Sequence, residues 1–176
     1  SIASSGSDIG KVTSPKGIAL DSANRIYVAD SGNDRVQVFE NNGTFIRSFG
    51  NTSIFSEPWG VAVNSQGIVF VSDYSQHKIH VFDPAGNLTG SWGENGSLNH
   101  QLKNPCGLAI GPKGDLYVAD SANYSIKRYT PTGSLVMKVD LRQSGGNTRT
   151  DSKGARPQTV GIRQDGLIVT AARNDN

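Results

Sequence analysis

Short apolar runs, punctuated by turn residues, make up almost the whole chain. Residues 17–20 are small and branched, and 26–29 are apolar. Residues 35–39 read Arg-Val-Gln-Val-Phe, the alternation of a half-buried strand. Residues 44–49 supply a fourth run. Between the runs stand Ser22-Ala23-Asn24, then Asp30-Ser31-Gly32-Asn33-Asp34, then Asn41-Asn42-Gly43. These are turn formers, and the Asn-Gly step readily takes the positive φ of a tight hairpin. The pattern predicts short strands a, b, c and d joined by turns. No window carries the 3.6-residue apolar stripe of a helix, so helix is expected to be nearly absent.

The same pattern is written again and again. Pro15-Lys16-Gly17 leads to Tyr27-Val28-Ala29-Asp30, Pro58-Trp59-Gly60 to Phe70-Val71-Ser72-Asp73, and Pro105-Cys106-Gly107 to Tyr117-Val118-Ala119-Asp120. A weaker copy starts at Pro157 and reaches Leu167-Ile168-Val169-Thr170, with Ala171 where the Asp is expected and a poor strand a at 161–163. The prolines are 43, 47 and 52 residues apart. Strand-built repeats of that length imply radial blades rather than one compact core.

Tyr27-Val28-Ala29-Asp30-Ser31 followed by Asn33-Asp34-Arg35-Val36-Gln37-Val38-Phe39 resembles the signature of the NHL repeat. So does Tyr117-Val118-Ala119-Asp120-Ser121 with Asn123, and Phe70 to Tyr74 with Lys78-Ile79-His80-Val81-Phe82 keeps the outline. The resemblance covers nearly the whole chain. It implies an all-β fold, a β-propeller of four-stranded antiparallel blades. The blade units are expected at 15–50, 58–93, 105–141 and, incomplete, 157–176. Residues 1–6 line up with 45–50 and are expected to be an outer strand of a neighbouring blade. The expectation is a partial ring, part of a larger six-bladed propeller, completed by further blades or by self-association. Activity follows less directly, because propellers host many unrelated functions.

Net charge is +2 over 176 residues, with no long basic run, which argues against a dedicated nucleic-acid surface. No apolar stretch is long enough to span a membrane, and membrane insertion is not expected. The single cysteine excludes an internal disulfide framework. Residues 143–156 are polar, Gly-rich and basic, and are read as an exposed loop. Asn42, Asn51, Asn87, Asn95 and Asn123 each open an Asn-x-Ser/Thr triplet in or beside a predicted turn. Turn chemistry can supply such triplets by itself, yet their number favours an extracellular or secretory-pathway glycoprotein over a cytoplasmic chain.

Asp30, Asp73 and Asp120 recur at one blade position, so a structural task is expected: accepting N–H bonds from the following turn. The residue between Pro and Gly varies: Lys16, Trp59, Cys106 and Gln158. With strand a innermost, as the resemblance implies, these side chains lie near one mouth of the channel. The b–c turns, carrying Asn33, Asp34, Tyr74, His77, Asn123, Tyr124 and Arg173, open on the same face. Lys16, Trp59, Cys106, Tyr74, His77 and Tyr124 are therefore the candidate binding residues. Phe49, Phe55, Trp59, Phe70, Phe82 and Trp92 read as packing between blades. His77 and His80 face opposite sides of one strand and His100 lies apart, so no metal site or catalytic set is expected. No cofactor is indicated. The resulting expectation is a non-catalytic scaffold for a protein, peptide or glycan partner. One alternative is RNA binding, as in NHL domains of ubiquitin-ligase-type proteins, through Lys16, Arg35, Lys78, Lys127 and Arg128. A metal-dependent propeller lyase or lactonase is the other.

Overall fold

The computed structural model describes residues 3–142 and 155–174. Strands β1 (Ser4–Ser5) and β2 (Lys11–Val12) precede three antiparallel sheets of four strands each. The first sheet holds β3 (Ile18–Leu20), β4 (Ile26–Asp30), β5 (Arg35–Phe39) and β6 (Phe45–Phe49). The second holds β7 (Pro58–Val63), β8 (Val69–Asp73), β9 (Lys78–Phe82) and β10 (Leu88–Trp92). The third holds β11 (Pro105–Ile110), β12 (Leu116–Asp120), β13 (Ser125–Tyr129) and β14 (Leu135–Asp140). A fourth unit is split. There β15 (Ala155–Pro157) pairs with β18 (Ala172–Asn174), and β16 (Gly161–Ile162) with β17 (Ile168–Val169). Among the described residues, helix is confined to the short 3-10 turns Ser31–Asn33 and Ser121–Asn123.

Strands a stand side by side: β7 packs on β3 and β4, β11 on β7 and β8, and β16 on β11. The glycine of each Pro-x-Gly makes this approach possible. A Cβ on Gly17 would lie 2.5 Å from the Trp59 carbonyl oxygen, and one on Gly107 would lie 2.6 Å from Thr159 Cα. A Cβ on Gly60 would run into the Cys106 carbonyl and Ser72 Oγ. Apolar burial then falls in the seams. Val36, Val38, Phe49, Phe55, Val61, Val71 and Phe82 fill the first seam. Phe70, Ile79, Leu102, Leu116 and Tyr129 fill the second, with Trp92 packed against them. Each buried side chain of this size contributes about 1.5–3 kcal/mol, and each blade obtains that contribution only from its neighbours.

The recurrent aspartates do more than hold the following turn. Asp30 accepts the Thr13 amide, Asp73 the Ser56 amide and Asp120 the Lys103 amide, each at 2.7 Å and seventeen residues upstream. They tie the connector leading into strand a to the far end of strand b. Among the described residues, Asp73 alone of the three also accepts an amide from its own b–c turn, Gln76 N at 2.8 Å. In the first and third blades the turn's Asn33 and Asn123 donate side-chain N–H bonds instead. Sequence spacing could not show this, because the donor is a backbone amide of no particular residue type.

Three expectations change. Residues 4–5 are not an outer antiparallel strand: Ser4–Ser5 pairs in parallel with Lys11–Val12. The third blade repeats this as a parallel bridge between Asn95 and Leu102. Asn33 Nδ2 donates to Gly6 O as Asn123 Nδ2 donates to Gly96 O. Gly6 is thus the counterpart of Gly96 in the connector after strand d, not of Gly50. In the fourth unit, Ala172 rather than Ala171 takes the aspartate register, since Pro157 pairs with Ala172 as Pro58 pairs with Asp73. Of the loop read over 143–156, residues 143–154 lie outside the described residues, and Ala155–Pro157 is a strand.

Candidate functional site

The mouth is built where strands a begin and strands b end. Trp59, the second residue of β7, stacks on Tyr74 of the following b–c turn, with ring centres 4.8 Å apart and planes 27° apart. The Lys16 ammonium lies 4.5 Å from the Trp59 ring centre. Lys16 is held in place by its own backbone, whose amide bonds Ala29 O. Tyr74 is fixed likewise, its amide bonding Glu57 O, while Ser75 Oγ donates to the Glu57 carboxylate at 2.6 Å. Both rings are half-buried and Lys16 is exposed. The arrangement is an aromatic platform flanked by one cation and one anion, each supplied by a different loop.

The other candidates divide. Tyr124 lies on the same face, in the left-handed region at φ 54, with the Arg156 guanidinium 5.3 Å from its ring centre. It belongs to a second cation–aromatic pair on the next blade. Cys106 does not belong to the surface. It is fully buried, and burial pushes its thiol pKa up to about 12. Its Sγ lies 3.5 Å from Asn104 O. Here the x position is covered by the fourth unit, and Cys106 shares a buried cluster with Val160. His77 is structural: its Nδ1 accepts the Asn104 amide at 3.0 Å. The side chain of Arg173 lies outside the described residues.

The basic set does not form one patch. Lys127 is fully buried and bonds Leu98 O, Gln101 O and the Asp120 carboxylate. Arg35 is tied to Asp30, Asp8 O and Lys11 O. Arg128 pairs with Asp115 at the opposite end of the blade. Among the described residues, no three His, Cys, Asp or Glu side chains converge as metal ligands. No helix there is long and apolar enough to cross a membrane.

The repeats match the NHL repeat over residues 13–39, 55–82 and 102–129. The chain carries three NHL repeats on a β-propeller fold. No curated protein matches it in sequence. Among solved structures, this NHL chain is similar to hydrazine synthase of Kuenenia stuttgartiensis, with 18% identity and a TM-score of 0.67 over 90% of this chain and 43% of that one. A catalytically inactive virginiamycin B lyase from Staphylococcus aureus gives 15% and 0.64, covering 89% and 54%. A nidogen/laminin complex gives 20% and 0.65, covering 90% and 57%. At such identities the likeness is one of fold, and the NHL chain spans about half the length of the solved chains it matches.

Of the triplet asparagines on this NHL chain, Asn42, Asn51, Asn87 and Asn95 are exposed. Asn123 is buried, and its Nδ2, the atom a glycan would modify, bonds Gly96 O at 2.8 Å and Asp120 at 2.9 Å. It is a structural residue and not a glycan carrier in the folded chain.

Proposed function

We propose that this NHL chain is a non-catalytic binding scaffold that receives a segment of a protein partner across the Trp59–Tyr74 platform. The observation that supports this reading is the platform itself: two stacked rings joined by a cation, on loops pinned by backbone bonds. Rigid aromatic side chains give contact area at low entropic cost, and aromatic and basic residues dominate binding hot spots. Lys16 and Glu57 flank the rings and would set the direction of a peptide carrying opposite charges. Panning a peptide display library against the folded chain tests this. Selected peptides should lose more than about 1 kcal/mol of affinity to Trp59→Ala, roughly fivefold or more. Undiminished binding to the folded variant would place the site elsewhere.

The exposed triplets at Asn42, Asn51, Asn87 and Asn95 support an extracellular or secretory-pathway protein. Expression through a eukaryotic secretory pathway should add glycans that an amidase removes, with none at Asn123. An intact mass without glycans would argue for the cytoplasmic alternative.

A further inference from the structure

At the end of each blade opposite the mouth, strands a and b are joined by a turn. It opens with Asp21 in the first blade, Asn64 in the second and Gly111 in the third. In the first blade the Asp21 carboxylate is fully served. It accepts the Ala23 and Arg25 amides, each at 2.9 Å, Arg25 Nε at 2.7 Å and the Tyr27 hydroxyl at 3.3 Å. In the second, Asn64 Oδ1 accepts the Gln66 and Ile68 amides. Gly111 offers no side-chain acceptor. The matching amides of Lys113 and Asp115 donate no hydrogen bond among the described residues, and the Tyr117 hydroxyl has no partner there. Nor is there room for a side chain at 111, where a Cβ would lie 2.7 Å from Tyr117 Cε2.

A second departure lies beside it. The strand c position of Val38 and Val81 is Arg128 in the third blade. Val38 is fully buried in the first seam. Arg128 instead reaches Asp115 through Nε at 2.8 Å and remains 28% exposed. The seam between the third and fourth units is correspondingly open, a cleft of about 410 Å³ lined by Lys113, Asp115, Tyr117, Arg128 and Gln164, among others. Of the cleft's carboxylates, Asp115 is ion-paired with Arg128, whose buried Nε makes no hydrogen bond among the described residues, and exposed Asp165 pairs with Arg163 and accepts the Leu167 amide. The groups left open are donors: two turn amides, a tyrosine hydroxyl and the outer edge of a guanidinium.

We propose that this cleft binds the carboxylate of a small ligand, which supplies the oxygens that Asp21 supplies inside the first blade. The donor types are the same as those around Asp21, and the volume suits a small molecule. The site is independent of the mouth. Titrating ¹⁵N-labelled chain with succinate tests it. The Lys113 and Asp115 amide resonances should shift saturably, and the uncharged analogue succinamide should leave them in place. Arg128→Val, which restores the residue of the other blades, should weaken binding about tenfold or more, since a charge-assisted bond is lost. Tyr117→Phe should weaken it about threefold, and serves if the first variant does not fold. Trp59→Ala should change nothing. No saturable shift by about 10 mM, where even a millimolar site is largely filled, would overturn the proposal. So would an equal response to succinamide, indifference to both variants, or tighter binding of inorganic phosphate than of succinate.

Discussion

Asp120 and Lys127 are both fully buried and lie 3.0 Å apart, and Lys127 also serves two carbonyls of the connector. Removing one partner strands the other charge away from water. Asp120→Ala should therefore cost about 3–5 kcal/mol in urea denaturation, whereas a change at exposed Asp8 should cost almost nothing. His80 takes the place of Gln37 and Lys127 on its own strand c, but neither ring nitrogen has a hydrogen-bond partner among the described residues. Burial pushes its pKa down; the Asp73 carboxylate pulls it up and Lys78 pushes it further down. The unfolded chain thus binds a proton near pH 6.5 that the folded chain resists. Stability is complete above that value and should fall as pH drops below it. His80→Gln should flatten this part of the urea-midpoint profile. Such pairings were illegible in the sequence, where Gln37, His80 and Lys127 look like ordinary polar positions of an alternating strand.

At the scale of elements, the sequence was most legible where backbone demands are strict. Strand c at 35–39 and the Asn42-Gly43 hairpin appear as read, because alternation and turn chemistry each leave little choice. The Pro-x-Gly glycines appear as read too, pressed against the next strand a. Gly60→Ala should force a Cβ into the Cys106 carbonyl and Ser72 Oγ, costing about 1–3 kcal/mol in denaturant unfolding. The connectors were least legible. Their pairing is parallel and brief, as at Ser4–Ser5 with Lys11–Val12, and it depends on a distant aspartate rather than on any local pattern. Cys106 was misplaced for a related reason: Pro-x-Gly fixes the backbone, but the overlying fourth unit decides whether x sees solvent.

Across the whole molecule, the blades are held by their seams, and the two end faces lack one. Ile18 is 63% exposed where its counterpart Val61 is 3% exposed against the preceding blade, and Val169 is 53% exposed on β17. Apolar faces of this kind favour association, so sedimentation of the purified chain should show a mass that rises with concentration. A concentration-independent monomer would show that these faces are tolerated in water. The repeat length announced the radial architecture and the mouth, while the stacking of Trp59 on Tyr74 beside Lys16 became visible only in the structure. Hydrogen exchange with a selected peptide bound tests the central claim, that the Trp59–Tyr74 mouth is the recognition surface. Protection is predicted over residues 15–18, 57–60 and 74–76. Protection confined to the a–b turns or to the end faces would contradict it.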